Sequence, residues 1–287
     1  MKRNLSTVLF VFLFIAGPSV ASAQLRSTGP VINGHHHFNA SDIEEHKRFW
    51  VDTLGGVPGT FGTGTEIVMF PDAIIFMRDQ APTGAMIGST VNHVGFSVPN
   101  IRQTIARVKR AGFRMVTNEE APPGVLVQDD IGLVEGDGPV TGIAYVLGPD
   151  DIKIEVLEMR AQTEPIVSHH IHFFGEDAEE MRAWYMDVFG AAERGGNTNG
   201  IIGADLPGLG LNFSASPRPP AATEGRTLDH IGFEIDGLEA FTQRLEARGI
   251  TLDVPYRNVP AAGLAIAFIT DPWGTRIELT EGLDNLR

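Results

Sequence analysis

Histidine is concentrated in two short runs of the chain. Of the nine histidines, three lie in GHHHF at residues 34–38 and three in HHIHF at residues 169–173. Imidazoles of this kind can pack in a core, bind a metal ion or move protons near neutral pH. The chain has no cysteine, so it has no disulfide and no thiolate nucleophile. Any bound metal ion must therefore be held by His, Asp or Glu.

The two runs belong to an internal repeat. Three pairs of segments align without gaps: 31–56 with 166–191, 92–113 with 229–250, and 145–158 with 268–281. His35 then matches His170, and His37 matches His172. The chain is a tandem duplication, and the extra residues of its first half fall within 123–140.

Each half of the repeat divides again into two quarters. Every quarter begins with the same short pattern, H-x-x-F, at His35–Phe38, His93–Phe96, His170–Phe173 and His230–Phe233. Apolar residues spaced three or four apart, such as Ile101, Ile105 and Val108, then predict an amphipathic helix. Short segments rich in Val and Ile, separated by Gly and Pro, predict the strands that follow. The pattern predicts an α+β fold of four βαβββ modules, paired into tandem domains over residues 31–160 and 166–284.

These features resemble the vicinal oxygen chelate superfamily, which includes glyoxalase I, extradiol dioxygenases and bleomycin resistance proteins. The resemblance covers nearly all of residues 31–283. Its most specific element is D-P-x-G-x-x-x-E near the end of the chain, at Asp271, Pro272, Gly274 and Glu278. The first half keeps Pro149 and Glu155 but has Gly148 and Asp151 in place of the signature Asp and Gly.

The resemblance implies that paired modules form an open cup that binds a divalent metal ion. The implied ligands are His170, His230 and Glu278 in the second half, and His35, His93 and Glu155 in the first. Two imidazoles and one carboxylate leave coordination positions free for substrate oxygens or O₂, and they suit Fe, Mn, Zn, Ni or Co. A fourth family ligand would lie at roughly Met77 or Asn212. Neither is a carboxylate, which favours the three-ligand classes.

Two further pairs of residues are candidates for chemistry. Alternate side chains of a strand share a face, so His37 and His172 should look into the cup beside His35 and His170. An imidazole beside a metal ion can serve as a general acid or base. Tyr256 and Arg257 precede the last hairpin and are candidates for contact with the substrate. His36 and His169 are expected to be structural.

Three functions fit this sequence. The first is a divalent-metal-dependent enzyme acting on a small oxygen-rich substrate chelated through adjacent oxygens, with dioxygenase-like or lyase/isomerase-like chemistry. The alternative is a protein of the bleomycin resistance type that binds or sequesters a small molecule without metal. A third possibility is a split role, in which one half is catalytic and the other structural; the intact signature then favours the second half.

The N-terminus predicts export. Lys2 and Arg3 precede the apolar run LSTVLFVFLFIAG, and ASA at residues 21–23 offers small residues for cleavage. Residues 1–23 are therefore expected to be a signal peptide cleaved after Ala23, which makes the protein periplasmic or secreted. An uncleaved membrane anchor is the alternative.

The charge of the chain restricts its partners. The formal net charge is −14, which disfavours binding to nucleic acid or to an anionic membrane surface. A small-molecule substrate is the expected partner. Paired modules can complete a cup within one chain, so both a monomer and a homodimer are compatible with the sequence.

Overall fold

The computed structural model describes residues 25–283, with the exception of residues 63 and 199. The predicted signal peptide lies outside the described residues. Within the described part of the chain, no helix is both long enough and apolar enough to cross a membrane.

The first half of the chain forms two modules. Module 1 contains β1 (Val31–Ala40), α1 (Ile43–Lys47), a π-helical turn (Arg48–Thr53), β2 (Val57–Phe61), β3 (Thr65–Phe70) and β4 (Ala73–Asp79). Module 2 contains β5 (Val91–Val98), α2 (Ile101–Arg110), β6 (Arg114–Met115), α3 (Thr117–Glu120), β7 (Leu126–Gln128), β8 (Ile131–Leu133), β9 (Val140–Leu147) and β10 (Lys153–Met159). The residues between β6 and β8, which include α3 and β7, have no counterpart in module 4, where a single strand, β16, pairs with β17.

The second half repeats this order with fewer elements. Module 3 contains β11 (Val167–Gly175), α4 (Ala178–Phe189), β12 (Ala192–Thr198), β13 (Ile201–Leu206) and β14 (Leu209–Ala215). Module 4 contains β15 (Leu228–Ile235), α5 (Leu238–Ala247), β16 (Val254–Val259), β17 (Leu264–Thr270) and β18 (Arg276–Glu281). The predicted α+β fold of four modules is confirmed.

Local sequence sets where the first helix of each half begins. The Asp42 carboxylate accepts hydrogen bonds from the backbone N–H groups of Glu44 and Glu45, and Asp177 accepts one from Glu180. These N-caps satisfy donors that have no partner inside the helix. Helix α4 ends at Gly190, which has φ of 71° and adopts this left-handed conformation without a steric penalty.

The strands form two sheets, and each sheet combines modules from both halves. Modules 1 and 4 form an eight-stranded sheet in the order β16-β17-β18-β15-β1-β4-β3-β2. Modules 2 and 3 form a ten-stranded sheet in the order β12-β13-β14-β11-β5-β10-β9-β8-β7, with β6 paired to β9. The sequence analysis paired successive modules, and that pairing is wrong at the level of the sheets. The domain limits 31–160 and 166–284 describe the repeat and stay a prediction.

The main hydrophobic core lies between the helices and the sheets, and we call it the helix-side core. It joins the modules that are neighbours in the chain. Phe49 of module 1 packs edge-to-face on Phe113 of module 2, with ring centroids 4.9 Å apart. Phe189 of module 3 contacts Phe233 of module 4 at 4.7 Å. Burying such a side chain contributes about 1.5–3 kcal/mol. Helix packing therefore holds each half together, whereas strand pairing holds the two halves to each other.

His36 belongs to this core, as expected for a structural residue. It is in register with Ile75 and Ile231, which are both fully buried core residues, and is itself 1% exposed. Burial, together with the neighbouring His35, lowers the pKa of His36 to about 3. The folded protein thus keeps this imidazole neutral at pH values where the unfolded chain protonates it.

This difference predicts an acid sensitivity. Between about pH 3 and 6.5 the unfolded chain binds a proton at position 36 that the folded chain does not, so the free energy of unfolding falls as the pH falls. One such group contributes up to about 1.4 kcal/mol per pH unit. We expect His36→Leu to reduce the slope of stability against pH by that amount in urea unfolding of metal-free protein between about pH 4.5 and 6.5. An unchanged slope would contradict a neutral buried His36.

Candidate metal centres

Each sheet carries one cluster of histidine and glutamate side chains. We call the concave face of the eight-stranded sheet the outer cup, with His35, His230 and Glu278 at its centre. The inner cup is the corresponding face of the ten-stranded sheet, with His93, His170, His172 and Glu155. The His35–His230–Glu278 and His93–His170–His172 groups each have potential ligand atoms within 4.8 Å of one another.

In the outer cup, two imidazoles meet at one carboxylate oxygen. Nε2 of His35 and Nε2 of His230 each lie 3.0 Å from Oε2 of Glu278. His35 and His230 are 2% and 1% exposed, while the Glu278 side chain is 14% exposed. The three groups converge from β1, β15 and β18, so the centre depends on all three strands.

The inner cup repeats this geometry. Nε2 of His93 and Nε2 of His170 each lie 3.1 Å from Oε2 of Glu155, and the two nitrogens are 3.3 Å apart. The Tyr145 hydroxyl donates to the other carboxylate oxygen of Glu155 at 3.0 Å. That bond fixes the orientation of the carboxylate.

The six predicted ligands are thus brought together, but not in the predicted sets. The sequence analysis grouped His170 with His230 and Glu278, and His35 with His93 and Glu155. In the structure the two histidines are exchanged, because β1 pairs with β15 and β5 pairs with β11. Each centre therefore takes ligands from both halves of the chain.

Two glycines make room for the exchanged histidines. His35 is in register with Gly232, and His170 is in register with Gly95. A Cβ atom at either glycine would overlap the facing imidazole ring. Strands β5 and β15 carry H-x-G where β1 and β11 carry H-x-H, so an H-x-H strand faces an H-x-G strand in each cup, a pattern that fits either pairing of the modules.

Carboxylates surround His230 in the outer cup. Its Nδ1 donates to Oδ1 of Asp229 at 2.6 Å, and the Arg276 guanidinium lies 3.3 Å from the same oxygen. Burial alone would lower the pKa of His230, but the hydrogen bonds to Asp229 and Glu278 outweigh it and raise the pKa above its ordinary value. Burial likewise opposes ionisation of Glu278, but bonds from both histidines hold its pKa far below the ordinary range. Nε2 of His230 thus lies at hydrogen-bonding distance from a carboxylate, a place where a bound cation could replace the proton between them.

In the inner cup, different side chains surround the histidines. Oδ1 of Asn92 accepts hydrogen bonds from Nδ1 of His93 and from Nζ of Lys153, both at 2.8 Å. Burial lowers the pKa of His93 to about 4, against the opposing effect of Glu155. Burial would raise the pKa of Glu155, but bonds from His170 and His93 hold it well below the usual value. Nδ1 of His93 thus faces an amide that is held by an ammonium group, where Nδ1 of His230 in the outer cup faces a carboxylate.

The predicted acid/base residues lie beside these clusters. His37 is 4.5 Å from His230 between ring centroids and stacks on Phe76 at 5.8 Å. His172 is 4.7 Å from His93, and its Nε2 lies 2.8 Å from Oγ of Ser214. Burial, reinforced by the neighbouring histidines, lowers the pKa of both residues well below 6.5. Both are neutral at pH 7, as a proton acceptor must be.

In module 1, the position of a possible fourth ligand lies one residue before the predicted one. Glu278 is in register with Gly232, and the equivalent pairs in modules 1 and 3 are His37 with Phe76 and His172 with Asn212. The relevant residue of β4 is therefore Phe76 instead of the expected Met77, which is 2% exposed in the helix-side core. Asn212 is placed as expected, and neither position holds a carboxylate.

Tyr256 and Arg257 lie on β16, away from both clusters. Tyr256 packs against the helix-side core, with its hydroxyl 3.3 Å from Oδ1 of Asn258. Arg257 is exposed and in register with Ile266. Neither residue lines the cavity beside either cluster. Their role in substrate binding therefore has no support from the geometry.

A cavity adjoins each cluster, and the two cavities differ in lining. The outer one has a volume of about 160 Å³ and is mostly apolar, with walls from His35, His37, Phe61, Thr65, Phe76, Leu264, Glu278, Thr280 and Leu283. The inner one has about 250 Å³ and includes Asn92, His93, Glu120, Pro122, Pro123, Tyr145, Lys153, His172, Phe174, Ile201 and Ser214. Sequence reasoning missed Asn92 and Lys153. Their signal is a polar residue directly before His93 and a lysine two residues before Glu155.

A substitution at Gly232, which lies against the His35 ring, tests this geometry directly. We expect Gly232→Ala to displace the His35 ring and to destabilise the protein by about 1–3 kcal/mol, because the added methyl group has no space. Imidazole NMR signals of His35 and His230 should shift, while those of His93 and His170 should not. Gly138→Ala is the matched control, since a Cβ atom there meets nothing within 4 Å. Unchanged His35 signals in Gly232→Ala would contradict the described register.

Comparisons with known proteins agree with this architecture. Residues 167–279 match the model of the Glyoxalase/Bleomycin resistance protein/Dioxygenase superfamily. Glyoxalase I from Zea mays is similar with a TM-score of 0.67 and 13% identity, covering 89% of this chain and 94% of that one. A putative dioxygenase from Bacillus subtilis has a TM-score of 0.65 and 12% identity, covering 91% of this chain and 86% of that one. No curated protein matches the sequence.

Identities this low show a shared fold and leave the activity open. The family match falls on modules 3 and 4, which carry the complete D-P-x-G-x-x-x-E signature. The fold match extends over nearly all of both halves. Residues 167–279 therefore match the glyoxalase, bleomycin resistance protein and dioxygenase superfamily, and the fold of nearly the whole chain is similar to that of glyoxalase I and of the putative dioxygenase.

Proposed function

We propose that this protein is a divalent-metal-dependent enzyme that acts on a small oxygen-rich molecule, and that the outer cup is its reaction site. The observation that carries the proposal is the convergence of two imidazole nitrogens on one carboxylate oxygen beside a cavity of about 160 Å³. This donor set suits Fe, Mn, Zn, Ni or Co.

The residues around the outer cluster fit a bound cation. Asp229 holds Nδ1 of His230 and so directs Nε2 toward Glu278, which is the usual arrangement behind a metal-binding histidine. When bound, a divalent ion supplies Lewis acidity to two adjacent substrate oxygens. With Phe76 at the position of a possible fourth ligand, the protein contributes three donors to this centre.

The remaining residues of the outer cup handle the substrate and its protons. Phe61, Phe76 and Leu264 line the cavity and exclude water from it. His37 is neutral and lines the same cavity, so it can accept a proton from a bound substrate and return it. This arrangement supports dioxygenase-like or lyase/isomerase-like chemistry. We also propose that the protein is exported, on the strength of residues 1–23.

Metal content is the first test. We expect wild-type protein to bind two equivalents of Zn²⁺ or Mn²⁺, and Glu278→Ala and His93→Ala to bind one each, by mass spectrometry after dialysis. Glu179→Ala is the control, because this glutamate is an exposed residue of α4. A wild-type protein that neither contains nor takes up a divalent ion would contradict the enzyme proposal, and would favour metal-free small-molecule binding.

The role of His37 is tested separately from metal binding. We expect His37→Gln to keep the metal content of the wild type and to lower turnover by about 10²–10⁴-fold. The measurement is O₂ uptake by Fe²⁺-loaded protein with catechol, followed by isomerisation assays with α-hydroxy ketones and Mn²⁺- or Zn²⁺-loaded protein. Equal turnover of wild type and variant would remove His37 from the mechanism.

A further inference from the structure

We infer that the two cups hold metal in different ways: His172 joins His93, His170 and Glu155 as a ligand, which makes the inner cup a closed centre that stabilises the fold. The outer cup keeps three protein donors and an open side. This inference rests on the metal binding proposed above and adds a division of labour between the two centres.

The hydrogen bonds on the far side of each inner-cup imidazole carry the argument. Nδ1 of His93 is held by Oδ1 of Asn92 at 2.8 Å, and Nδ1 of His170 lies 2.9 Å from Nδ1 of His169. Nε2 of His172 lies 2.8 Å from Oγ of Ser214. A histidine that binds metal characteristically uses its other nitrogen in this way.

These bonds leave one nitrogen of each ring for a metal ion. His93 and His170 present Nε2, and the bond to Ser214 leaves Nδ1 of His172 as its free donor. The ligand atoms of the three rings lie within 4.8 Å of one another. With Oε2 of Glu155 only 3.1 Å from two of these nitrogens, the inner cup offers four donors, the number that closes a structural zinc site.

The outer cup lacks the equivalent arrangement around His37. Its ring stacks on Phe76 with an interplanar angle of 17°, whereas the inner cup has Asn212 at that position. The place of Ser214 is taken by Arg78, which donates hydrogen bonds and cannot accept one from an imidazole N–H. His37 is accordingly absent from the outer cluster, and its Nε2 has no hydrogen-bond partner in the structure.

A segment found only in module 2 covers the inner cup. Helix α3 brings Glu120 to 2.5 Å from Nζ of Lys153, which is itself 2% exposed. Pro122 and Pro123 follow and line the same cavity. Module 4 has no helix at this point and continues from α5 into β16. The cover and the fourth donor both fit a centre that is built to retain its ion.

The experiment measures Zn²⁺ affinity one cup at a time, with zinc alone as the probe. Glu278→Ala protein retains the inner cup, and His93→Ala protein retains the outer cup. We expect His172→Gln to weaken binding to the inner cup by more than about 100-fold, because the loss of a ligand exceeds that of its supporting partner. His37→Gln is the matched control and should leave binding to the outer cup unchanged.

A second variant and the visible spectrum of bound Co²⁺ show whether His172 is a metal ligand or only supports the surrounding structure. Ser214→Ala keeps His172 but removes its partner, and we expect a loss of about 10–100-fold in inner-cup affinity. Co²⁺ in the inner cup should show the strong visible absorption of tetrahedral coordination, and His172→Gln should weaken it. Zn²⁺ should also raise the Tm of Glu278→Ala protein, and His172→Gln should abolish the rise.

The outcomes distinguish this inference from the proposed function. Equal inner-cup affinity with and without the His172 imidazole would overturn the inference and leave the metal enzyme intact. Zinc binding by wild type but none by Glu278→Ala protein would also overturn it, because only the outer cup would then hold metal. A wild type that binds no zinc would overturn the proposed function and this inference together.

Discussion

The antiparallel pairing of β1 with β15, and of β5 with β11, is the constraint on which the rest of the structure depends. These pairs join the two halves of the chain edge to edge and make each sheet continuous across them. They also bring each exchanged histidine over a glycine of the facing strand. A slip of one residue would turn every side chain of a strand to the opposite face, so the register and both centres are specified together.

The two centres depend on the same contacts among the four modules. Aromatic packing on the helix side ties module 1 to module 2 and module 3 to module 4. Strand pairing ties module 1 to module 4 and module 2 to module 3. Each half therefore contributes ligands to both cups, and neither half holds a complete centre. The question of which half is catalytic becomes a question of which cup is catalytic.

The sequence predicts the four modules, because these depend on local periodicity and on the repeat, and its resemblance to the superfamily implies the six ligand positions. It does not predict which modules pair, because duplication made the first strands of modules 1 and 3 alike, and both partners are chemically acceptable. Met77 lies one residue past the predicted position, because the sequence does not give the register of β4 against β1, in which Phe76 lies beside His37. Tyr256 was misplaced because its face of β16 depends on a bulge between Val254 and Arg257. Asn92 and Lys153 act through His93, which only the folded geometry reveals.

The central claim is that each metal centre combines ligands from both halves of the chain. Anomalous diffraction from crystals soaked in a divalent metal salt tests it most directly. The account predicts a peak within bonding distance of His35, His230 and Glu278, and a second beside His93, His170 and Glu155. A single peak shared by His170, His230 and Glu278, or no peak beside any of these residues, would contradict it.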